Sequence, residues 1–154
     1  CDAIMSEKKT IINTLVKPQD IGHIWVFAEK LLKKSAKRSE GRTNTSDIFQ
    51  ECIEGTSSLW IVYEEEEFPD LLGCGITQIN HYPTGLKMLN IDHVAGVHQE
   101  KWTKGALDVL ERFAKDTNCD GIESLAREGF WNWIKDDNWD RVAVAYQKRF
   151  DDEK

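Results

Sequence analysis

The chain has 154 residues, 40% of them hydrophobic and 31% charged, and a net charge of −7. That length carries one domain with a real core rather than two, and so acidic a chain argues against general nucleic-acid binding, which rests on Lys and Arg density. A mean hydropathy of −0.52, with no apolar run near the roughly 20 residues a membrane helix needs, argues against a membrane protein.

Cys1-Asp2-Ala3-Ile4 has no signal-peptide character, and Met5 followed by Ser6-Glu7-Lys8-Lys9 reads as a natural start. The expected organisation is an N-terminal extension over 1–9, one domain over 10–150 and an acidic tail over 151–154. Residues 10–16, TIINTLV, form a β-prone run that Pro18 ends, because the residue before a proline is biased away from helix. From Pro18 onward, Ile21, Ile24, Trp25, Ala28, Leu31, Leu32 and Ser35 recur at three- and four-residue steps, which predicts an amphipathic helix. Lys30, Lys33, Lys34, Lys37 and Arg38 gather toward its end, where cations suit the helix dipole and a solvated face is a simpler reading than a ligand site. Residues 43–46 offer N-cap side chains to a short second helix over 47–54, which Gly55 closes. The run 59–63, LWIVY, is aromatic and β-branched and predicts a strand. The four consecutive glutamates at 64–67, with Pro69 and Asp70, then make a turn whose mutual repulsion keeps it solvated.

Residues 71–96 are two strand-like runs separated by Pro83-Thr84-Gly85, which predicts a long central hairpin. Side chains alternate along a strand, so Leu72, Cys74 and Ile76 share one face and Gly73, Gly75, Thr77 and Ile79 the other. In the second run strict alternation sets Met88 and Val94 opposite Leu89 and Ile91. Apolar residues on both faces imply helices on both sides. Beyond Gly96, the spacing of Trp102, Ala106, Leu107, Leu110, Phe113 and Ala114 predicts a third helix with Asn118 at its end. Residues 121–126 read as a strand, 130–135 as a short helix, and 141–150, RVAVAYQKRF, as a final strand.

Cys1, Cys52, Cys74 and Cys119 include no C-x-x-C pair and no His at ligand spacing, so no structural metal site is expected. Cys74 and Cys119 lie in apolar stretches and are expected to be buried thiols, which suits a reducing, cytoplasmic compartment. His23, His81 and His98 share no metal-ligand spacing and are expected in loops or on the surface.

The order strand, helix, helix, strand, two-stranded hairpin, helix, strand, helix, strand resembles the GNAT N-acyltransferase superfamily. The residues that carry it are Leu59-Trp60-Ile61-Val62, Gly75-Ile76-Thr77-Gln78-Ile79 with Tyr82-Pro83, Gly96 followed by Trp102, Asn118-Cys119-Asp120-Gly121-Ile122-Glu123, and Arg127-Glu128-Gly129-Phe130. The wording is most similar to the divergent GNAT-like proteins of tailed bacteriophages. The resemblance implies an α/β (α+β) fold, a mixed central sheet with helices on both faces, and transfer of an acyl group from acetyl-CoA or another acyl-CoA to an amine, with no metal.

In that superfamily a Gln/Arg-x-x-Gly-x-Gly/Ala loop before the third helix holds the cofactor's pyrophosphate, and small residues there let amides approach the phosphates. Started at Gln99, the motif meets Trp102 and Lys104 at its small positions; started at Lys101, it meets Lys104 and Ala106, so one of the two is small. The resemblance thus implies cofactor contacts from Val94, Gly96, Val97, Lys104, Gly105 and Ala106. Asp92 and His93, near the end of the fourth strand, are the candidate catalytic bases, His93 with the better-suited intrinsic pKa. A polar strand edge and a satisfied core histidine are their plain structural readings. Tyr146 is expected at the core or rim, and Ser124 lies nearer the usual place of the acid but is a poor one. The alternative function is a catalytically inactive GNAT-like phage virion or host-interaction protein with a degenerate CoA loop. The former acts in the cytoplasm, the host's if phage-encoded, on an unidentified amine or protein partner.

Overall fold

The computed structural model describes residues 9–150; the expectations for residues 1–8 and for the acidic tail at 151–154 lie outside the described residues. Strand β1 is Ile11–Leu15, and helix α1, Ile21–Arg38, follows a single 3-10 turn at Pro18–Asp20. The apolar period of α1 becomes its buried face, Ile21, Ile24, Ala28, Leu32 and Ala36. Helix α2, Thr45–Glu54, starts where the Asn44 side chain accepts a hydrogen bond from the Asp47 amide at 2.8 Å. It stops at Gly55, whose φ of 87° is the left-handed cap that glycine adopts without strain.

Strands β2 (Ser58–Glu64), β3 (Gly73–His81) and β4 (Lys87–Gly96) form an antiparallel meander beside β1, and β5 (Gly121–Glu123) adds in parallel to β4. The predicted hairpin is therefore β3 and β4, both interior to the order β1-β2-β3-β4-β5. Its turn closes through Tyr82 N to Leu86 O and Gly85 N to Tyr82 O, each 2.9 Å. Helix α3 is Thr103–Asp116 and α4 is a single turn, Trp131–Ile134. No helix among the described residues is long and apolar enough to cross a membrane.

The sheet separates two cores. Leu32, Ile48, Leu59, Ile61, Cys74, Ile76 and Ala95 pack under α1 and α2, while Trp60, Leu89, Ile91, Leu107, Leu110 and Ile134 pack under α3 and α4. Alternation along β2 sends Leu59 and Ile61 one way and Trp60 the other. The buried Trp60 indole is satisfied across the sheet by Thr77 Oγ1 at 3.0 Å.

Four expectations are corrected. The alternation assigned to the second run of the hairpin holds only to Ile91, because the β3–β4 register slips between Ile76, paired with His93, and Thr77, paired with Ile91. Asp92 is the extra residue of this β-bulge, which resets the parity of the residues after it; Val94 therefore joins Leu89 and Ile91 on the α3 side instead of opposing them. The predicted final strand over 141–150 is irregular and exposed, with Tyr146 91% exposed rather than at a core or rim. The fifth strand ends at Glu123 rather than at 126. Cys119 is half-buried, and among the described residues the buried thiols are Cys74, as expected, and Cys52.

Candidate functional site

The geometry begins with the short pairing of β5. Only Met88, Leu89 and Asn90 of β4 pair with β5, at Gly121, Ile122 and Glu123. Ser124 makes the last tie, its hydroxyl donating to the Ile91 carbonyl at 2.9 Å, which gives this residue a fastening role rather than that of an acid. From Ile91 to Gly96 the β4 edge on that side has no strand beside it among the described residues. β4 therefore runs on past β5 as an unpaired wall from Ile91 onward.

That wall leads to the start of α3. After Gly96 the chain passes His98 in the left-handed region, φ 52°, and a 3-10 turn at Gln99–Lys101. The first amides of any helix find no acceptor within it. Here Ala106 N bonds Trp102 O at 2.9 Å, and the amides of Thr103, Lys104 and Gly105 have no backbone acceptor among the described residues. Lys104 and Gly105 are exposed, and a side chain at Gly105 would meet nothing nearer than Asn13 Nδ2 at 4.0 Å, whereas Thr103 is buried, so the open part of this turn is at Lys104 and Gly105. Such a turn suits an anion.

Trp102, the largest side chain of the loop, is turned inward and 3% exposed, with its indole N–H on the Val97 carbonyl at 2.8 Å. Its ring lies against the chain at Gly73 and Gly96, where any Cβ would collide with it. The tryptophan thus occupies no part of the outward turn.

Asp92 and His93 stand across the bulge from this apparatus. His93 pairs with Ile76 and lies on the α1 face, with Nδ1 2.6 Å from the Ser35 hydroxyl on α1. Burial, and then the positive Arg38, hold its imidazole below the ordinary value. A neutral ring with Nδ1–H donated to Ser35 leaves Nε2 with a lone pair. Asp92 accepts a hydrogen bond from the Asn90 amide on the same strand. Burial pushes its carboxyl up, the Asn90 hydrogen bond opposes this, and the charge of Glu51 on α2 adds to the rise. Two successive side chains of one strand share a face because the bulge removes the alternation between them.

The eight sequence-derived residues are spread over this stretch. Asp92 and His93 are half-buried on the α1 side of the sheet, Val94 and Ala106 line one small cavity beneath α3, Gly96 is half-buried, and Val97, Lys104 and Gly105 are exposed. The cavity that Val94 and Ala106 help to line under α3 is about 30 Å³, room for little more than one water. Ser35 was legible only as part of an apolar helical period, where a polar residue at a half-buried position is the signal that it has a partner. Asn90 was legible as the residue two before Asp92 on one strand face. Arg38 and Glu51 carry no local signal, since only packing of α1 and α2 on the sheet brings them near.

A meander of four antiparallel strands whose last member carries a parallel fifth, with helices on both faces, is a GNAT-like fold. Solved structures share it over nearly the whole chain. A ribosomal-protein-alanine N-acetyltransferase from Brucella melitensis biovar Abortus 2308 matches with TM-score 0.67 and 17% identity, covering 92% of this chain and 99% of that one. An aminoglycoside acetyltransferase from an uncultured soil metagenomic sample, in complex with sisomicin, matches with TM-score 0.68 and 7% identity over 92% and 97%. A predicted acetyltransferase with acetyl-CoA from Clostridium acetobutylicum matches with TM-score 0.62 and 16% identity over 91% and 96%. At these identities the likeness is one of fold. No family model and no curated protein sequence matches the chain.

Proposed function

We propose that the protein transfers an acyl group from acyl-CoA to an amine. The observation that carries this reading is the continuity of the β4 edge, unpaired from Ile91 to Gly96, with the acceptor-free amides of Thr103, Lys104 and Gly105. The pyrophosphate would lie on those amides with the Lys104 ammonium beside it, and the amide-bearing arm would run along Val97, Gly96 and Val94 as an extra strand does on an open edge. Bound there, acyl-CoA supplies an activated thioester. His93 receives the proton that the attacking amine must lose, since its lowered pKa keeps the ring neutral near pH 7; Asp92 holds a negative charge near the incoming ammonium. The solved relatives named for aminoglycoside and glucosamine-6-phosphate substrates support an amine as acceptor, and a net charge of −7 favours the approach of a cation.

Lys104 offers a point charge where a glycine amide would give directional bonds, so binding is expected to be modest and salt-sensitive. Calorimetric titration of acetyl-CoA at two salt concentrations tests it: weak binding that salt reduces and Lys104→Glu abolishes is the expected result. Tight binding indifferent to both would overturn it. The second reading, a non-catalytic GNAT-like phage protein that works through its surface, draws on that same Lys104 and on the exposed Glu100 in the turn. It predicts no heat of binding at either salt concentration.

A further inference from the structure

Two arginines approach each other beside the unpaired stretch of β4, one from each flank. Arg38 ends α1, one turn beyond Ser35, whose hydroxyl lies 2.6 Å from His93 Nδ1. Residues three apart on a helix share a face, and the Arg38 charge is felt at the His93 ring. Arg127 arrives from beyond β5. Ser124 ties that chain to the Ile91 carbonyl at 2.9 Å, and three residues later Arg127, extended, leads into the 3-10 turn Glu128–Phe130. The two guanidinium groups are close enough that the charge of Arg127 adds to burial in lowering the pKa of Arg38.

The acids nearest to this pair in sequence are turned elsewhere. Glu40 accepts from Gln147 Nε2 at 2.7 Å, and Glu128 pairs with Arg141 at 2.7 Å. Among the described residues, neither Arg38 nor Arg127 has a carboxylate within ion-pair distance. Like charges held together with no anion between them cost free energy, and here they do so in a chain with 27 acidic residues against 20 Lys and Arg. The helix dipole accounts for one cation at the end of α1. It does not account for a second guanidinium brought to it from the far side of the sheet.

We propose that Arg38 and Arg127 together bind a carboxylate or phosphate group of the acyl acceptor, so that the substrate is an amine that also carries an anionic group. The inference rests on the acyl-transfer reading for the amine and on the arginine pair for the anion. Guanidinium forks match the oxygens of both anions bidentately. With the anion held there, the amine lies toward Asp92 and His93, on the strand beside the pair. An acceptor of both signs also suits the acidic chain, whose long-range field salt screens, while the arginines act only at contact.

Calorimetric titration of matched amines into the full chain, with and without acetyl-CoA, tests this. β-Alanine against β-alaninamide, and O-phosphoethanolamine against ethanolamine, differ in the anionic group. The acidic member of at least one pair is expected to bind at least about tenfold more tightly, and the pair that shows it tells carboxylate from phosphate. Arg38→Gln and Arg127→Gln change exposed side chains, so each is expected to keep the circular dichroism of the parent while removing most of that preference. Arg38→Lys is expected to retain only part of it, because an ammonium lacks the fork. No binding of any of the four amines, equal binding within both pairs, or a preference that survives both Gln substitutions overturns the proposal. Release of the CoA thiol reports transfer independently. Arginine-dependent binding of an acidic amine without thiol release removes the acyl-transfer reading and upholds the arginine site, whereas thiol release as fast with the neutral amines as with the acidic ones upholds that reading and overturns this proposal.

Discussion

His93 and Asp92 are shifted in opposite directions by the same cause, removal from water at the bulge, and each shift has a consequence for stability. His93 is lowered from 6.5, so below that value the unfolded chain takes up a proton that the native ring resists. The stability linked to it is full above 6.5 and lost as pH falls through the lowered native value. His93→Gln is therefore expected to flatten the decline of Tm measured between about pH 7.5 and pH 5. Asp92 is raised from 3.8, so its contribution is present below that value and lost as pH rises through the native one. Asp92→Asn should raise Tm at neutral pH, by an increment that shrinks toward acid, while lowering any acyl-transfer rate; thermal melts across pH check the first and turnover the second. The thiols separate by depth. Burial pushes Cys52 to about 11 and Cys74 to about 12, so both should resist a thiol reagent in native buffer while the half-buried Cys119 reacts first.

At the scale of elements, the join between β3, β4 and α3 depends on one aromatic ring seated on two glycines. The atoms nearest a methyl group at Gly73 all belong to the Trp102 side chain, whereas one at Gly96 would also strike the Leu72 carbonyl. Gly73→Ala is expected to cost roughly 1–3 kcal/mol by overpacking, and Trp102→Leu to cost on the order of 3 kcal/mol through the space it leaves. Combined, they should cost less than their sum, because the smaller side chain makes room for the methyl. Gly96→Ala should show no such relief, since the obstructing atom is backbone; denaturant midpoints of the five variants decide it. A sequence reading sees Gly73 and Gly75, at alternate positions of one strand, as places where something comes close. It does not see that the visitor at Gly73, and at Gly96 too, is Trp102, further along the chain.

For the molecule as a whole, the sheet divides two cores that share no side chain. Leu32 and Leu89 are each fully buried, one on either side. Leu32→Ala and Leu89→Ala are each expected to cost about 2–5 kcal/mol, and the pair to add within about 0.5 kcal/mol if the cores are independent. Ile76, 1% exposed on the central strand, offers a harsher test. Ile76→Asp places an unpaired charge against α1 and should cost more than about 4 kcal/mol, so an unchanged Tm would mean that the strand order is wrong.

The amino-acid sequence by itself determined the elements whose signals are local. The three-and-four spacing of α1 and α3, the capping side chains over 43–46 and Gly55 at the ends of α2, and the Pro-Thr-Gly turn of the β3–β4 hairpin could be read without a partner, because periodicity, capping and turn chemistry act between near neighbours. The tertiary structure decided what depends on distant chain. Whether Val94 faces α1 or α3 turns on a bulge at Asp92 that exists only against Ile76 and Thr77 of β3. Whether His93 has a partner turns on α1 bringing Ser35 to 2.6 Å, 58 residues away. The strand-like pattern of 141–150 produced no strand, because alternation records a preference for an apolar face and a ladder, and a strand forms only where another strand's edge supplies both.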